Sequence, residues 1–415
     1  MNYILGVVCA AAVIWIAVSA ARAGIVEAGP DHLSQTTSLG AIIAASPDQP
    51  VHILFVHGIR IGDRGSSAKF RASLCAHLKL DCSQVQRVTQ RLDIGPNPGV
   101  TYMGEPVWPD DPAWSKGPFV DRYQYRVEGR SAPVILDEVN WWPLALPLRC
   151  KALLAPEAAL AGPDVADLRL CAADDDVHFP FISQAELKTL IATRPKGGGA
   201  ALANGFLKRG LMDWGLSDAV IALGPMKTYL RDAVDKAFEY AAAPHDGDVR
   251  PAKFVVISES LGSFIVFDAY AAHNGAARAV LDQTACVYFF ANQIALLELG
   301  RLNDPSRRAR AAAAAPGEAA PGAAEETIHE ALKSWASRPA TASLTGLPAF
   351  KQIIAFSDPS DVLTFRVPKV ANAIVVNVYD RNGLDLFHLV ADPVAAHVGH
   401  STNTKVLDQM LAVPR

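Results

Sequence analysis

Six short, mostly apolar strand-like runs recur along the chain, at 51–56, 134–139 (interrupted by Asp137-Glu138), 253–257, 287–291, 352–356 and 373–378. Runs of this length without apolar–polar alternation predict strands buried on both faces. Turn chemistry follows the first three: His57-Gly58, then Asn140-Trp141-Trp142-Pro143, then Ser258-Glu259-Ser260. Residues 66–80, 261–272 and 404–411 carry helical spacing. Strands alternating with helices predict an α/β chain with a mostly parallel, doubly wound sheet covered on both faces.

Two stretches exceed the dozen or so residues that a crossover needs. Residues 143–250 include Trp214, several glycines and a helix-like run at 226–242, and read as a helical cap over the sheet. Residues 301–341 contain an Ala-, Pro-, Gly- and Glu-rich segment at 310–324, a composition that buries little apolar surface and reads as a loop. The predicted organisation is an N-terminal signal or anchor (1–23), a lead segment (24–50), the first half of the core (51–142), the cap (143–250) and the second half of the core (251–415).

The 415 residues are 50% hydrophobic and 19% charged, which excludes disorder as the main state. Lys and Arg number 38 against 42 Asp and Glu, a net charge of −4 that argues against an electrostatic nucleic-acid binder. Residues 4–21 carry no formal charge, and Ala21-Arg22-Ala23-Gly24 puts small residues at the two positions a signal peptidase reads. Cleavage after Ala23 and export, periplasmic or secreted, is the preferred reading. The alternative is an uncleaved anchor and membrane association through this segment, whose length is near the lower limit for a bilayer span. Cysteine usage agrees with an oxidising compartment: Cys75 with Cys82, and Cys150 with Cys171, are spaced for two local disulfides. Cys286 is the odd one, in an apolar run. The sixth, Cys9, leaves with the signal; inert packing of the other five is the alternative, and no Cys-x-x-Cys pair with answering histidines suggests zinc.

The chemistry concentrates in Phe254-Val-Val-Ile-Ser258-Glu259-Ser260-Leu261-Gly262-Ser263. A serine on a sharp strand-to-helix turn needs small residues two before and two after it, and Ser258 and Gly262 occupy those places. The following helix aims its N-terminal N–H groups at the same spot. This segment resembles the nucleophile elbow of the α/β-hydrolase superfamily, with Ser258 in place of the usual first glycine. The strand ending in His57-Gly58-Ile59 is similar to the one that supplies a second oxyanion donor in that fold. The resemblance therefore implies an oxyanion hole from the Ile59 and Leu261 backbone N–H groups, with His57 structural. His57 as the base would require an order of residues that belongs to β-barrels.

The superfamily's chain order is Ser, then acid, then His. Asp361, followed by Val362-Leu363, is the preferred acid. Asp358 is the alternative, discounted because Asp before Pro is a common turn opener. His397, in a late loop before the last helix, is the preferred base and His400 the alternative, while His388 reads as a packed residue on an apolar run. The resemblance implies a serine hydrolase cleaving a small-molecule or lipid ester through Ser260, His397 and Asp361, with no cofactor or metal, and the N-terminal segment adds the expectation of export. An acyltransferase using the same residues and a silent hydrolase-like binding protein are the alternatives. Trp141, Trp142 and Trp214 line an acyl pocket or pack the cap. Glu259 reads as an ordinary exposed carboxylate, and Asp174-Asp175-Asp176 as a solvated turn.

Overall fold

The structure, a computed structural model, describes residues 26–28, 33–58, 65–78, 82, 85–95, 99–108, 116–158, 165–177, 179–193, 216–243, 252–272, 275–299, 327–339, 350–382, 385–386, 390–391 and 393–412. Its strands are β1 (Val26–Ala28), β2 (Val51–Val56), β3 (Gln86–Arg91), β4 (Thr101–Tyr102), β5 (Glu105–Pro106), β6 (Phe119–Tyr125), β7 (Val134–Asn140), β8 (Lys253–Glu259), β9 (Cys286–Phe290), β10 (Lys351–Ser357) and β11 (Ala373–Tyr379), followed by a small hairpin. Nine form one mixed sheet in the order β1-β11-β10-β9-β8-β2-β7-β6-β3. The stretch from β11 to β7 is parallel throughout. β1 pairs antiparallel at one edge, and β6 and β3 at the other.

Side chains alternate across each central strand, and both sets are buried. Leu54, Val56, Val256, Val287, Phe289 and Ile353 belong to one apolar core. Ile53, Phe55, Val255, Ile257, Tyr288 and Ile354 belong to a second. Helices Lys227–Ala242, Leu261–Ala271, Gly275–Gln283 and Ile328–Ser337 seal the first; helices Leu39–Ala44, Ala68–Leu78 and Thr404–Leu411 seal the second. This two-sided burial explains why the six runs lack polar alternation.

Two regions differ from the sequence reading. Helix Lys227–Ala242, placed above in the cap, packs on the sheet through Leu230, Ala233, Val234, Ala237, Phe238 and Ala241. Their spacing is that of one helix face turned to a core. Trp142, Leu146, Cys150, Leu154, Leu168, Cys171 and Leu187, with Phe119 of β6, form an apolar cluster separate from the two cores. Within 301–341, residues 328–337 are helix, started by a capping box between Thr327 and Glu330 and anchored by Ile328, Leu332 and Trp335. The Ala- and Pro-rich stretch 310–324 lies outside the described residues, as does the segment 1–23.

Disulfides join Cys75 to Cys82 and Cys150 to Cys171. Cys286 is free and buried, and burial pushes its thiol up to about 12, so it stays protonated and inert. Among the described residues no helix is long and apolar enough to cross a membrane.

Candidate active site

β8 lies in the middle of the sheet and stops at Glu259, and helix Leu261–Ala271 begins two residues later. Ser260 joins them with φ 53° and ψ −124°, a left-handed conformation that only surrounding structure sustains in a non-glycine residue. Three features hold it. Its N–H donates to Phe290 O at 2.7 Å, fastening the turn to β9. Its C=O accepts from Ser263 N–H at 3.1 Å and from the Ser263 hydroxyl at 2.6 Å. The third is close backbone approach: a Cβ on Gly262 would overlap Val56 O and lie 2.8 Å from His57 O, and one on Gly58 would overlap Ser260 Cβ and lie 2.6 Å from Glu259 O. Only glycine fits at either place.

Each residue of the helix after Ser260 is buried, and its polar members are partnered: Ser263 donates to Ser260 O, and Asp268 accepts from the Arg231 guanidinium. The first two N–H groups of this helix, of Leu261 and Gly262, precede its first hydrogen bond and lie at the positive end of its dipole, beside the Ser260 turn. Asp361 sits in the loop after β10, and His397 in the short helix Pro393–Val398 beyond β11. All three residues therefore lie beyond the carboxyl ends of parallel strands, where ligands of open α/β sheets bind.

Ser260 Oγ is 2.6 Å from His397 Nε2, and His397 Nδ1 is 2.7 Å from Asp361 Oδ2. The carboxylate assigns the imidazole proton to Nδ1, which leaves Nε2 free to accept the serine proton. Asp361 also accepts from Leu363 N–H at 2.9 Å and from the Thr364 hydroxyl. Burial alone would push the Asp361 carboxyl up. The His397 hydrogen bond and charge, with Thr364 and Leu363, outweigh it and hold the group below its ordinary value.

No family model, no curated protein and no solved structure matches this chain.

The alternative acid and base sit elsewhere in the same corner. Asp358 accepts Ser360 N–H and Asn382 N–H, both at 2.7 Å, and its carbonyl accepts Asp361 N–H at 3.0 Å. It builds the turn that presents Asp361. His400 is fully buried, stacked 6.3 Å from the Phe290 ring with Nδ1 3.0 Å from Asp380. His57 Nδ1 donates to Gly58 O at 2.7 Å, and its ring stacks on Trp141, whose indole N–H donates to His57 O at 2.9 Å. Trp141 thus braces the His57-Gly58 turn from inside the core, while Trp142 packs edge-on against Phe119. Ile59, Trp214 and His388 lie outside the described residues.

Glu259 differs from its sequence reading. It is buried, because the last residue of a central strand is enclosed where β8 pairs with β9 and Gly58 presses on its carbonyl. The acidic run is a turn: Asp174 pairs with Lys116, and Asp175 accepts Val177 N–H at 2.8 Å. Sequence reasoning missed Ser263 and Asn382. Ser263 stands three residues after Ser260, a spacing that signals a bond back to the turn; Asn382 before Gly383 reads only as turn punctuation.

Proposed function

We propose that this protein is a serine hydrolase of the α/β-hydrolase type that cleaves an ester through an acyl-enzyme. The observation carrying the proposal is the Ser260–His397–Asp361 relay, with contacts of 2.6 and 2.7 Å, on a serine held at positive φ. The order of the three along the chain and the elbow after a central parallel strand support the superfamily assignment.

In the scheme, His397 Nε2 takes the Ser260 proton as Oγ attacks the ester carbonyl. The resulting oxyanion is received by Leu261 N–H and, by the resemblance, Ile59 N–H. His397 then returns the proton to the leaving alcohol oxygen, and the C–O bond breaks. Water, deprotonated by the same imidazole, releases the acyl group. Asp361 holds the imidazole tautomer and favours the imidazolium that forms in each half. Val362 and Phe365, on the loop that carries the acid, are 58% and 42% exposed and favour a substrate with an apolar acyl or alkyl part. Two disulfides favour an oxidising, extracytoplasmic location.

A fluorophosphonate probe tests the scheme: Ser260 Oγ forms the P–O bond, fluoride leaves and His397 takes the proton. Intact-mass analysis should show one adduct on the wild type and none on Ser260→Ala. A folded wild type that gains no adduct would sink the proposal and favour a hydrolase-like binding protein.

A further inference from the structure

On the serine-hydrolase reading, we propose that Asn382 is a positioning residue that sets the acid-to-base distance in the triad. Asp361 and His397 are 36 residues apart and ride on separate segments, the loop after β10 and the short helix beyond β11. Neither segment lies within a strand or long helix. Their 2.7 Å contact therefore needs an external brace, and Asn382, in the turn after β11, touches both sides.

Toward the acid, the Asn382 backbone N–H donates to Asp358 Oδ2 at 2.7 Å. Asp358 in turn accepts Ser360 N–H with its other oxygen and Asp361 N–H with its carbonyl, so it dictates where Asp361 emerges. Toward the base, Asn382 Nδ2 donates to Ala396 O at 3.0 Å, the peptide directly preceding His397. The remaining amide oxygen accepts from Asn403 Nδ2 at 3.0 Å. Asn403 caps helix Thr404–Leu411 and also donates to Asp380 at 2.9 Å. A carbonyl on one side and an amide donor on the other leave a single orientation for the Asn382 side chain.

The packing is tight as well. A side chain at Gly399 would overlap Asn382 Cβ and approach its Cγ to 2.8 Å, so the helix carrying His397 rests directly on this residue. A carboxylate at 382 would face the Ala396 carbonyl with no proton to share. An apolar side chain would leave that carbonyl without this donor and release the His397 segment from the acid loop.

The test uses the full chain, with Asn382→Leu and the milder Asn382→Ser, and follows the fluorophosphonate labelling rate as a function of pH. Folding is checked by circular dichroism and thermal melting. Labelling is expected to slow about tenfold to a hundredfold, the usual consequence of misplacing a catalytic contact by about 1 Å. The pH midpoint of labelling should also move, because parting the two groups removes the His397 contact that helps hold the Asp361 carboxyl below its ordinary value. A purely structural role would lower the melting temperature and leave the midpoint of the folded protein in place, and that result in either variant overturns the proposal. If Asn382→Leu does not fold, Asn382→Ser decides alone. Failure of the underlying reading has a different signature: wild type without an adduct, or Ser260→Ala labelled like wild type, refutes the triad and this proposal with it.

Discussion

Ser260 holds a backbone conformation that costs ~1–3 kcal/mol in a non-glycine residue, and the glycines at 58 and 262 are what make it attainable. Gly262→Ala would drive a methyl into the Val56 carbonyl, which belongs to a central strand and has no room to retreat. We expect it to destabilise the fold by ~1–3 kcal/mol and to slow fluorophosphonate labelling about a hundredfold, read by chemical denaturation and by adduct kinetics. The two aspartates separate by a different comparison. Asp361→Asn keeps the shape but offers His397 Nδ1 an amide and the wrong tautomer, so labelling should fall by about 10³–10⁴. Asp358→Asn retains an oxygen for one of its two N–H partners and should cost far less. A larger loss at 358 than at 361 would place the acid at 358. The three candidates that the fold brings into contact were legible in the sequence, Ser260 and Asp361 from turns whose small, acidic or apolar neighbours have a mechanical reason and His397 from its place before the last helix, although it sits in a short helix and not in a loop. Asn382 was not, because its role comes from contacts with residues 358, 396 and 403, which only the fold brings together.

Strands were legible where burial on both faces made them continuously apolar, as in β2, β8, β9 and β10. The antiparallel edge was not. β3 reads Gln-Arg-Val-Thr-Gln-Arg and is exposed along its length, and β6 carries Asp121 and Arg122 into the interior. Arg122 reaches Asp137 on β7 through two hydrogen bonds of 2.6 and 3.0 Å and lies 4.1 Å over the Tyr240 ring of helix Lys227–Ala242. His52 on β2 approaches the same carboxylate at 3.3 Å. Burial would push the Asp137 carboxyl up, and these partners bring it below its ordinary value. One buried charge cluster thus ties β2, β6, β7 and a core helix, and its polar letters hide the strand from any hydrophobic pattern. Arg122→Met alone should cost ~3–5 kcal/mol in denaturant unfolding, because it removes the guanidinium partner of a buried carboxylate. Adding Asp137→Leu should recover much of that loss. A single variant as stable as wild type would mean that the pair contributes nothing to the edge.

At the scale of the whole molecule, residues read as a mere lead segment are part of the fold. β1 pairs antiparallel with β11, from Val26 opposite Tyr379 to Ala28 opposite Asn377, and so covers the sheet edge that β11 would otherwise leave open. Ser38 caps helix Leu39–Ala44 by accepting Ala41 N–H at 3.0 Å, and its hydroxyl donates to Ala412 O. That helix buries Leu39, Ile42 and Ile43 against Leu407, Met410 and Leu411 of the last helix, over the second core. One face of the sheet is thus closed by segments from the two ends of the described chain. His397 is braced from that side, since Asn403 both caps the last helix and supports Asn382. The position of a proteolytic cut then matters more than its mere occurrence. A chain beginning at Gly24 keeps β1 and both closing helices, and it should melt and label like the longest soluble form. A chain beginning at Val51 exposes the β11 edge and the apolar surface of helix Thr404–Leu411. It should aggregate on expression, or melt lower and lose labelling together. If the Val51 form instead labelled and melted normally, the lead segment would be an accessory, and the closure of this face would have to come from the core alone.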